Sequence, residues 1–348
     1  MRWTSWLPCA RCLVPTESEA AGLAFRCLVL GCGSIGTRHL RNLRQLGLRE
    51  VAAFDISASR RAVIRQDLGL WVPETLEAAW DYGPDVVVVA TPPQHHVALA
   101  LEAVRRGCRV FLEKPLSHSA DGVPELCTEI DRRGVQSMVA CNMRFHPGPA
   151  IVKRLIEDRA VGAPIAARLH TGSYLPRWRP AQDYRTSYSA SPDVGGAVLD
   201  CIHELDLALW YLGPAQLRGA VVRPARSLGL EADGLAEILL EHDCGAISSV
   251  HLNFVQRDYR RSCQIVGEKG TLAWDFEVRE IRRYGEDGAL AERLSEPAGW
   301  ELNQMYLDEI RHFLGACQRG RPAMNPIQEA AVTLQLALET RARERAAA

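Results

Sequence analysis

The apolar positions of the first half fall into short unbroken runs separated by helical stripes. "CLVL" (Cys27–Leu30) and "DVVVVA" (Asp85–Ala90) are continuous apolar runs of strand length, as expected of parallel strands covered on both faces. After the first run, Ile35, Leu40, Leu43 and Leu46 form the apolar stripe of a helix. After the second come a helix in "VALALEAVRRG", a strand in "CRVFLEKP", a further helix and the strand "VQSMVACN". This βαβ repetition predicts an α/β, doubly wound parallel sheet. The second half changes period. In "AISSVHLNFV", Val250, Leu252 and Phe254 take one face while Ser249, His251 and Asn253 take the other, the alternation of a half-buried strand in an antiparallel sheet. "GLAEILLEH", "RRSCQIVGEKG" and "GTLAWDF" add strands joined by short glycine turns. Helical stretches near 302–318 and 326–345 end the chain. "GGAVLDCIHELDLALWYLG" predicts one helix from Gly195 to Gly213, with an apolar body and with Asp200 and His203 three apart on one face.

A chain of 348 residues is long enough for two domains. The change of period separates a first domain, expected at 26–145, from a second, expected at 146–348. Residues 1–25 carry one early Arg but no unbroken apolar stretch, so they do not read as a signal peptide; they are expected to be an extension outside the fold. Lys and Arg number 41 against 42 Asp and Glu, a net charge of −1, so nothing in the overall charge calls for nucleic acid or an anionic membrane. The apolar runs are far shorter than the ~20 residues of a membrane-spanning helix. The 11 cysteines are odd in number and lack framework spacing, which fits free thiols in a reducing, cytoplasmic compartment. Cys9 and Cys12 form a lone C-x-x-C, and His203 begins "HELDL" rather than H-E-x-x-H, so no metal is expected.

Gly31, Gly33 and Gly36 stand in G-x-G-x-x-G spacing between the first strand and its helix. The first permits a tight turn, the second lets backbone approach a pyrophosphate, and the third lets helix pack on strand. Ser34 and Ile35 open the helix, whose free N–H groups and dipole favour phosphate. Asp55 ends the second strand, nineteen positions beyond Gly36. A carboxylate there accepts hydrogen bonds from ribose hydroxyls and favours NAD, although Ser57, Arg60 and Arg61 leave NADP open. Thr91, Pro92 and His96 follow the third strand, and Glu113-Lys114-Pro115 follows the fourth. These lie at the carboxyl edge where ligands bind, and all but Pro115 are assigned to the cofactor. Lys114 alone would read as a surface turn residue, and His96 as a structural histidine.

"VLGCGSIGTRHL", "ATPPQHHVALALEAVRRGCRVFLEKPLS", "GGAVLDCIHELDLALW" and "IVGEKGTLAWD" occur in that order. This ordered set resembles the Gfo/Idh/MocA family of nicotinamide-dependent oxidoreductases over about residues 26–340. The resemblance implies a Rossmann domain followed by an α+β domain with a large, mainly antiparallel open sheet. It implies bound NAD(P) and hydride transfer at a sugar or polyol CH–OH. It makes Lys114 a contact to cofactor and substrate, His203 the acid/base, and Asp200 a substrate ligand or an assistant in proton transfer. The commonest family pattern has three residues between that Asp and His; this chain has two. In "CNMRFHP", Asn142 and Arg144 become substrate or nicotinamide ligands, with a structural ion pair as the alternative for Arg144. In the irregular segment Gly172–Pro192, Trp178 and Tyr184 are candidates for stacking on a sugar, as is Tyr188, and its arginines suggest a nucleotide-linked or acidic sugar. The alternative is a solvated loop with interface aromatics. The partners expected are a small sugar-like molecule and further copies of the chain, as a homodimer or homotetramer. A non-catalytic NAD(P) sensor and an NAD-dependent glycosidase are the competing functions.

Overall fold

The computed structural model describes residues 24–180 and 182–347. The expected extension, apart from Ala24 and Phe25, lies outside the described residues, as does the Cys9–Cys12 pair. The chain divides into two compact units, one running through Asn142 and resuming at Glu301–Ala331, the other comprising Met143–Trp300 and Val332–Ala348.

In the first unit, strand and helix alternate: β1 (Cys27–Leu30), α1 (Ser34–Gln45), β2 (Val51–Phe54), α2 (Ala58–Leu68), α3 (Leu76–Asp81), β3 (Val86–Val89), α4 (His96–Arg105), β4 (Arg109–Leu112), α5 (Val123–Arg133) and β5 (Ser137–Val139). The strands form one parallel sheet in the order β2-β1-β3-β4-β5. The continuous apolar runs are explained by burial: Cys27–Leu30 and Val86–Val89 are all at most 1% exposed. The strand order reverses between β1 and β3, and such a switch point opens a crevice beyond the strand ends.

The second unit contains α6 (Pro147–Glu157), β6 (Pro164–Tyr174), α7 (Ala197–Asp200), α8 (His203–Leu212), β7 (Ala215–Pro224), β8 (Asp233–His242), β9 (Ile247–Asn253), β10 (Val255–Gly267), β11 (Gly270–Asp275), β12 (Glu280–Tyr284) and β13 (Leu290–Ser295). Its eight strands run β13-β12-β11-β10-β6-β9-β8-β7, antiparallel throughout except where β6 meets β9. Alternation sorts the faces. Leu169, Ile238, Leu240, Val250, Leu252, Ile265, Leu272 and Trp274 are buried in a row on the side packed by α6 and α8. Arg168, Glu237 and Leu239 point the other way and are exposed.

The last helices are α9 (Asn303–Arg319) and α10 (Ile327–Ala347). α9 returns to the first unit: Asn303 donates to Asn42 at 2.9 Å, and Phe313 packs on Phe111 with centroids 5.6 Å apart. Asn325 and the Val139 backbone exchange two hydrogen bonds. Among the described residues, no helix is long and apolar enough to cross a membrane, and no cluster of three metal-ligating side chains occurs.

Candidate functional site

In the first unit, the candidate residues gather at the carboxyl end of β1. Gly31 has φ +94°, a left-handed conformation that a side chain resists. A Cβ on Gly36 would lie 1.8 Å from the Gly31 carbonyl oxygen, whereas one on Gly33 would meet nothing within 4 Å. Gly33 is therefore open space above the loop, and Gly36 is the contact that brings α1 against it. No side chain caps α1, so its first N–H groups are available to an anion. Ser34 is exposed and Ile35 half-buried at this end.

Asp55, 5% exposed, accepts from the Cys32 N–H through Oδ2 and from the Ser57 N–H through Oδ1, both at 2.8 Å. The carboxylate thus ties the tip of β2 to the glycine loop while each oxygen keeps a further lone pair for a ribose hydroxyl. Of the three residues that left NADP open, Arg61 is buried against the carbonyls of Asp55 and Ile56 and against Glu74, and Ser57 caps α2. Arg60 remains largely exposed, 3.6 Å from Asp55.

Thr91, Lys114 and Asn142 follow the ends of three adjacent strands, β3, β4 and β5. The Thr91 hydroxyl and the Asn142 side-chain oxygen are buried with no hydrogen-bond partner among the described residues, as expected where a polar ligand completes the set. Pro92 precedes a short 3-10 turn at Pro93–His95. These features suit a dinucleotide: an open glycine cradle, an uncapped helix N-terminus, a carboxylate at the tip of β2 and two orphaned polar atoms along the same edge.

Two residues assigned to the cofactor have internal partners. Glu113 is 7% exposed and lies 2.7 Å from the fully buried ring of His39 on α1. Burial alone would raise the Glu113 carboxyl, but the His39 bond and charge, with Lys114, outweigh it and hold the group below its usual range. Its other oxygen accepts the Lys114 N–H at 3.2 Å, next to the cis Lys114–Pro115 peptide. His96, 1% exposed, joins strand ends, with ring nitrogens 2.9 Å from the Pro115 carbonyl and 2.8 Å from that of Thr91. Burial lowers its pKa against the pull of those carbonyls.

In the second unit, the candidate residues gather at the start of α8. The single helix expected over Gly195–Gly213 is two: α7 ends at Asp200, and α8 begins at His203. Between them Glu204 N–H reaches back to the Cys201 carbonyl at 3.4 Å, a three-residue step. Asp200 and His203 are not a solvent-facing cap, since they are 4% and 7% exposed. The neighbouring acids pair elsewhere. Glu204 binds Arg261 with Nε 2.7 Å from Oε1. Asp206 takes both arms of Arg144, at 2.9 and 2.7 Å. Arg144, 2% exposed and beneath the Trp210 ring, is thus placed in the structural ion pair that was its alternative reading.

The segment after β6 is organised by 3-10 turns at Leu175–Arg177, Tyr184–Thr186 and Tyr188–Ala190. Trp178, 40% exposed, donates to Ser173 Oγ at 3.0 Å and stands edge-on to Phe254. Tyr184 donates to the Leu228 carbonyl at 3.0 Å. Tyr188 donates to Asp200 Oδ1 at 2.9 Å. Tyr188–Asp200 and His39–Glu113 are contacts that sequence reasoning missed. The signal available was an aromatic residue in an otherwise aperiodic loop and a histidine on the glycine-loop helix.

Residues 25–141 match the model of the oxidoreductase family with an NAD-binding Rossmann fold, and residues 150–273 match the GFO/IDH/MocA C-terminal domain. Inositol 2-dehydrogenase of Burkholderia cenocepacia is 32% identical over 255 residues, 70% of this chain and 71% of that one. Inositol 2-dehydrogenase of Rubrobacter xylanophilus is 29% identical over 313 residues, 86% of this chain and 84% of that one. A crystal structure of an NAD-binding oxidoreductase from Klebsiella pneumoniae superimposes with a TM-score of 0.82 at 19% identity, covering 93% of this chain and 98% of that one, which shows a shared fold. With both domain models matched in chain order and a curated relative above 30% identity along most of its length, the chain belongs to the Gfo/Idh/MocA family of NAD-dependent oxidoreductases.

Proposed function

We propose that the protein oxidises a secondary CH–OH carbon of a polyol or sugar, reversibly, with NAD. NAD, when bound, supplies the hydride acceptor; the chain positions the substrate and moves the proton. The glycine loop and Asp55 hold the dinucleotide, with Thr91 and Asn142 offering their buried polar atoms to the cofactor or substrate along the same strand edge. Lys114 donates to the substrate oxygen and stabilises negative charge that develops there. His203 takes the hydroxyl proton, the role of a general base. Asp200 accepts a hydrogen bond from the substrate and orients it. The observation that carries this reading is a carboxylate and an imidazole, both over nine-tenths buried, in a chain that also carries a phosphate-binding glycine loop. The likeness to inositol dehydrogenases supports inositols as the first substrates to try.

A narrower substrate has one observation in its favour. Arg179 and Arg185 stand exposed on the loop after β6, where they would meet an acidic or nucleotide-linked sugar. The further assignments are a homodimer or homotetramer built through the outward sheet face of the second unit, and a cytoplasmic setting. The latter is supported by nine described cysteines, all free. The test is NADH formation from NAD+ across a panel of inositols, sugars, acidic sugars and nucleotide sugars. The expected result is turnover of at least one, cut about 10²–10⁴-fold in both His203→Ala and Lys114→Ala with unchanged melting. Wild-type rates in both variants would contradict the assignment.

A further inference from the structure

Asp200 sits at the end of a four-residue helix, α7, too short to hold a carboxylate by itself. Its surroundings do so. The Tyr188–Ala190 turn lies against the start of α7 through Gly195 N–H to the Ser191 carbonyl at 2.9 Å and Gly196 N–H to the Ser189 carbonyl at 3.1 Å. The approach is so close that a Cβ on Gly195 would fall 2.1 Å from the Tyr188 carbonyl oxygen. From the other side, Asp233 of β8 accepts the Val198 N–H at 2.8 Å and Arg341 Nε at 3.0 Å. Arg341 also donates to the Pro192 carbonyl. The loop and α7 are thereby clamped together from Ser189 to Val198. The side chain that crosses from this clamped loop to the carboxylate is Tyr188, at 2.9 Å from Asp200 Oδ1.

We propose that Tyr188 is a positioning residue for the reaction: its phenol, donated from the clamped loop, fixes the rotamer of the Asp200 carboxylate that receives the substrate. This rests on the role given to Asp200 above. A phenol suits the task. It reaches across from a neighbouring turn, has few rotatable bonds, and donates an O–H···O bond of 2.9 Å to the carboxylate. It engages one oxygen of the carboxylate. Orientation matters because a small misplacement of a group in the reacting geometry is costly in rate.

Tyr188→Phe keeps the ring and removes only the donor, so it is compared with Asp200→Asn and with the double variant. Three readouts are taken: kcat/KM on the substrate found in the panel, thermal melting, and the carboxyl resonances of 13C-aspartate-labelled protein. The expected result is a loss of about tenfold in kcat/KM in Tyr188→Phe, with unchanged KM for NAD and unchanged melting. In the Asp200→Asn background the same change costs less than twofold, since residues that act as a unit are non-additive. The resonance that disappears in Asp200→Asn shifts in Tyr188→Phe, whether or not turnover is seen. An equal loss in both backgrounds, or an unmoved resonance, would overturn the positioning role and leave the dehydrogenase reading intact. Asp200→Asn at full wild-type activity would overturn both the role of Asp200 and this proposal.

Discussion

Gly33 and Gly36 differ in what a methyl group would meet. At Gly36 it would strike the Gly31 carbonyl oxygen 1.8 Å away; at Gly33 it would enter empty space. Gly36→Ala must therefore shift backbone, and we predict destabilisation of about 1–3 kcal/mol together with loss of NADH binding. Gly33→Ala leaves the fold untouched and loses NADH affinity, because the Cβ occupies the approach of the pyrophosphate. Melting curves and NADH fluorescence titrations separate the two; equal melting losses in both, or normal NADH binding by Gly33→Ala, would contradict the cradle. The glycine loop and the carboxylate at the tip of β2 were legible because their signal is local, set by a spacing and the end of a strand. The buried pairs were not. Glu113 meets His39 across 74 positions, and Arg144 meets Asp206 across 62. Nothing in the local pattern of either partner names the other, so a substrate ligand and a structural arginine read alike.

At the scale of elements, periodicity located the five parallel strands and, in the second sheet, β8 to β11, since burial on one or both faces sets the pattern directly; β6, β7, β12 and β13 went unread. It missed the break at Cys201–Ile202, where both residues are apolar and suit a continuous helix. Tertiary pairing prevails there over propensity: Tyr188 holds Asp200, and Arg261 and Arg144 hold Glu204 and Asp206. The capping of α6 has its own consequence. His146 caps it, accepting the Gly148 N–H at 3.2 Å, and is boxed by Trp274, Phe276 and Trp300. Burial, reinforced by the charges of Arg261 and Arg279, pushes its pKa down from 6.5 to about 3. The unfolded chain takes up a proton below about 6.5 that the folded one refuses, so stability present above that pH is lost as pH falls towards 3. His312, pushed down to about 4, acts in the same direction. Melting temperature should fall from about pH 7 to about pH 4. His146→Asn keeps a capping oxygen, so it should melt lower at neutral pH and show a shallower fall. An unchanged pH dependence in that variant would remove His146 from the account.

For the whole molecule, the switch from a 3.6- and run-based pattern to a period of two marked where one sheet gives way to another. The return of α9 to the first unit was beyond the pattern: an amphipathic helix states that it has a buried face, not which core receives it. The same limit applies to the outward face of the eight-stranded sheet. There Val221, Leu239 and Ile247 are 51%, 44% and 50% exposed on adjacent strands, with Arg168 and Glu237 nearby. Exposed apolar rows of this kind are interaction surfaces, and mixed charge suits an isologous contact. Sedimentation should give a dimer or tetramer, and Leu239→Glu should shift it towards monomer; a monomeric wild type at micromolar concentration would rule the surface out. On the proposed reaction, the hydride of the reacting substrate carbon passes directly to the nicotinamide. The most direct test is mass analysis of the reduced cofactor after turnover of a polyol deuterated at the reacting carbon. One deuterium per NADH in the wild type, formed about 10²–10⁴-fold more slowly by His203→Ala, is the predicted result. Bound cofactor with no label from any substrate would point to a sensor, and product released without net NADH to a glycosidase; either would contradict the dehydrogenase account.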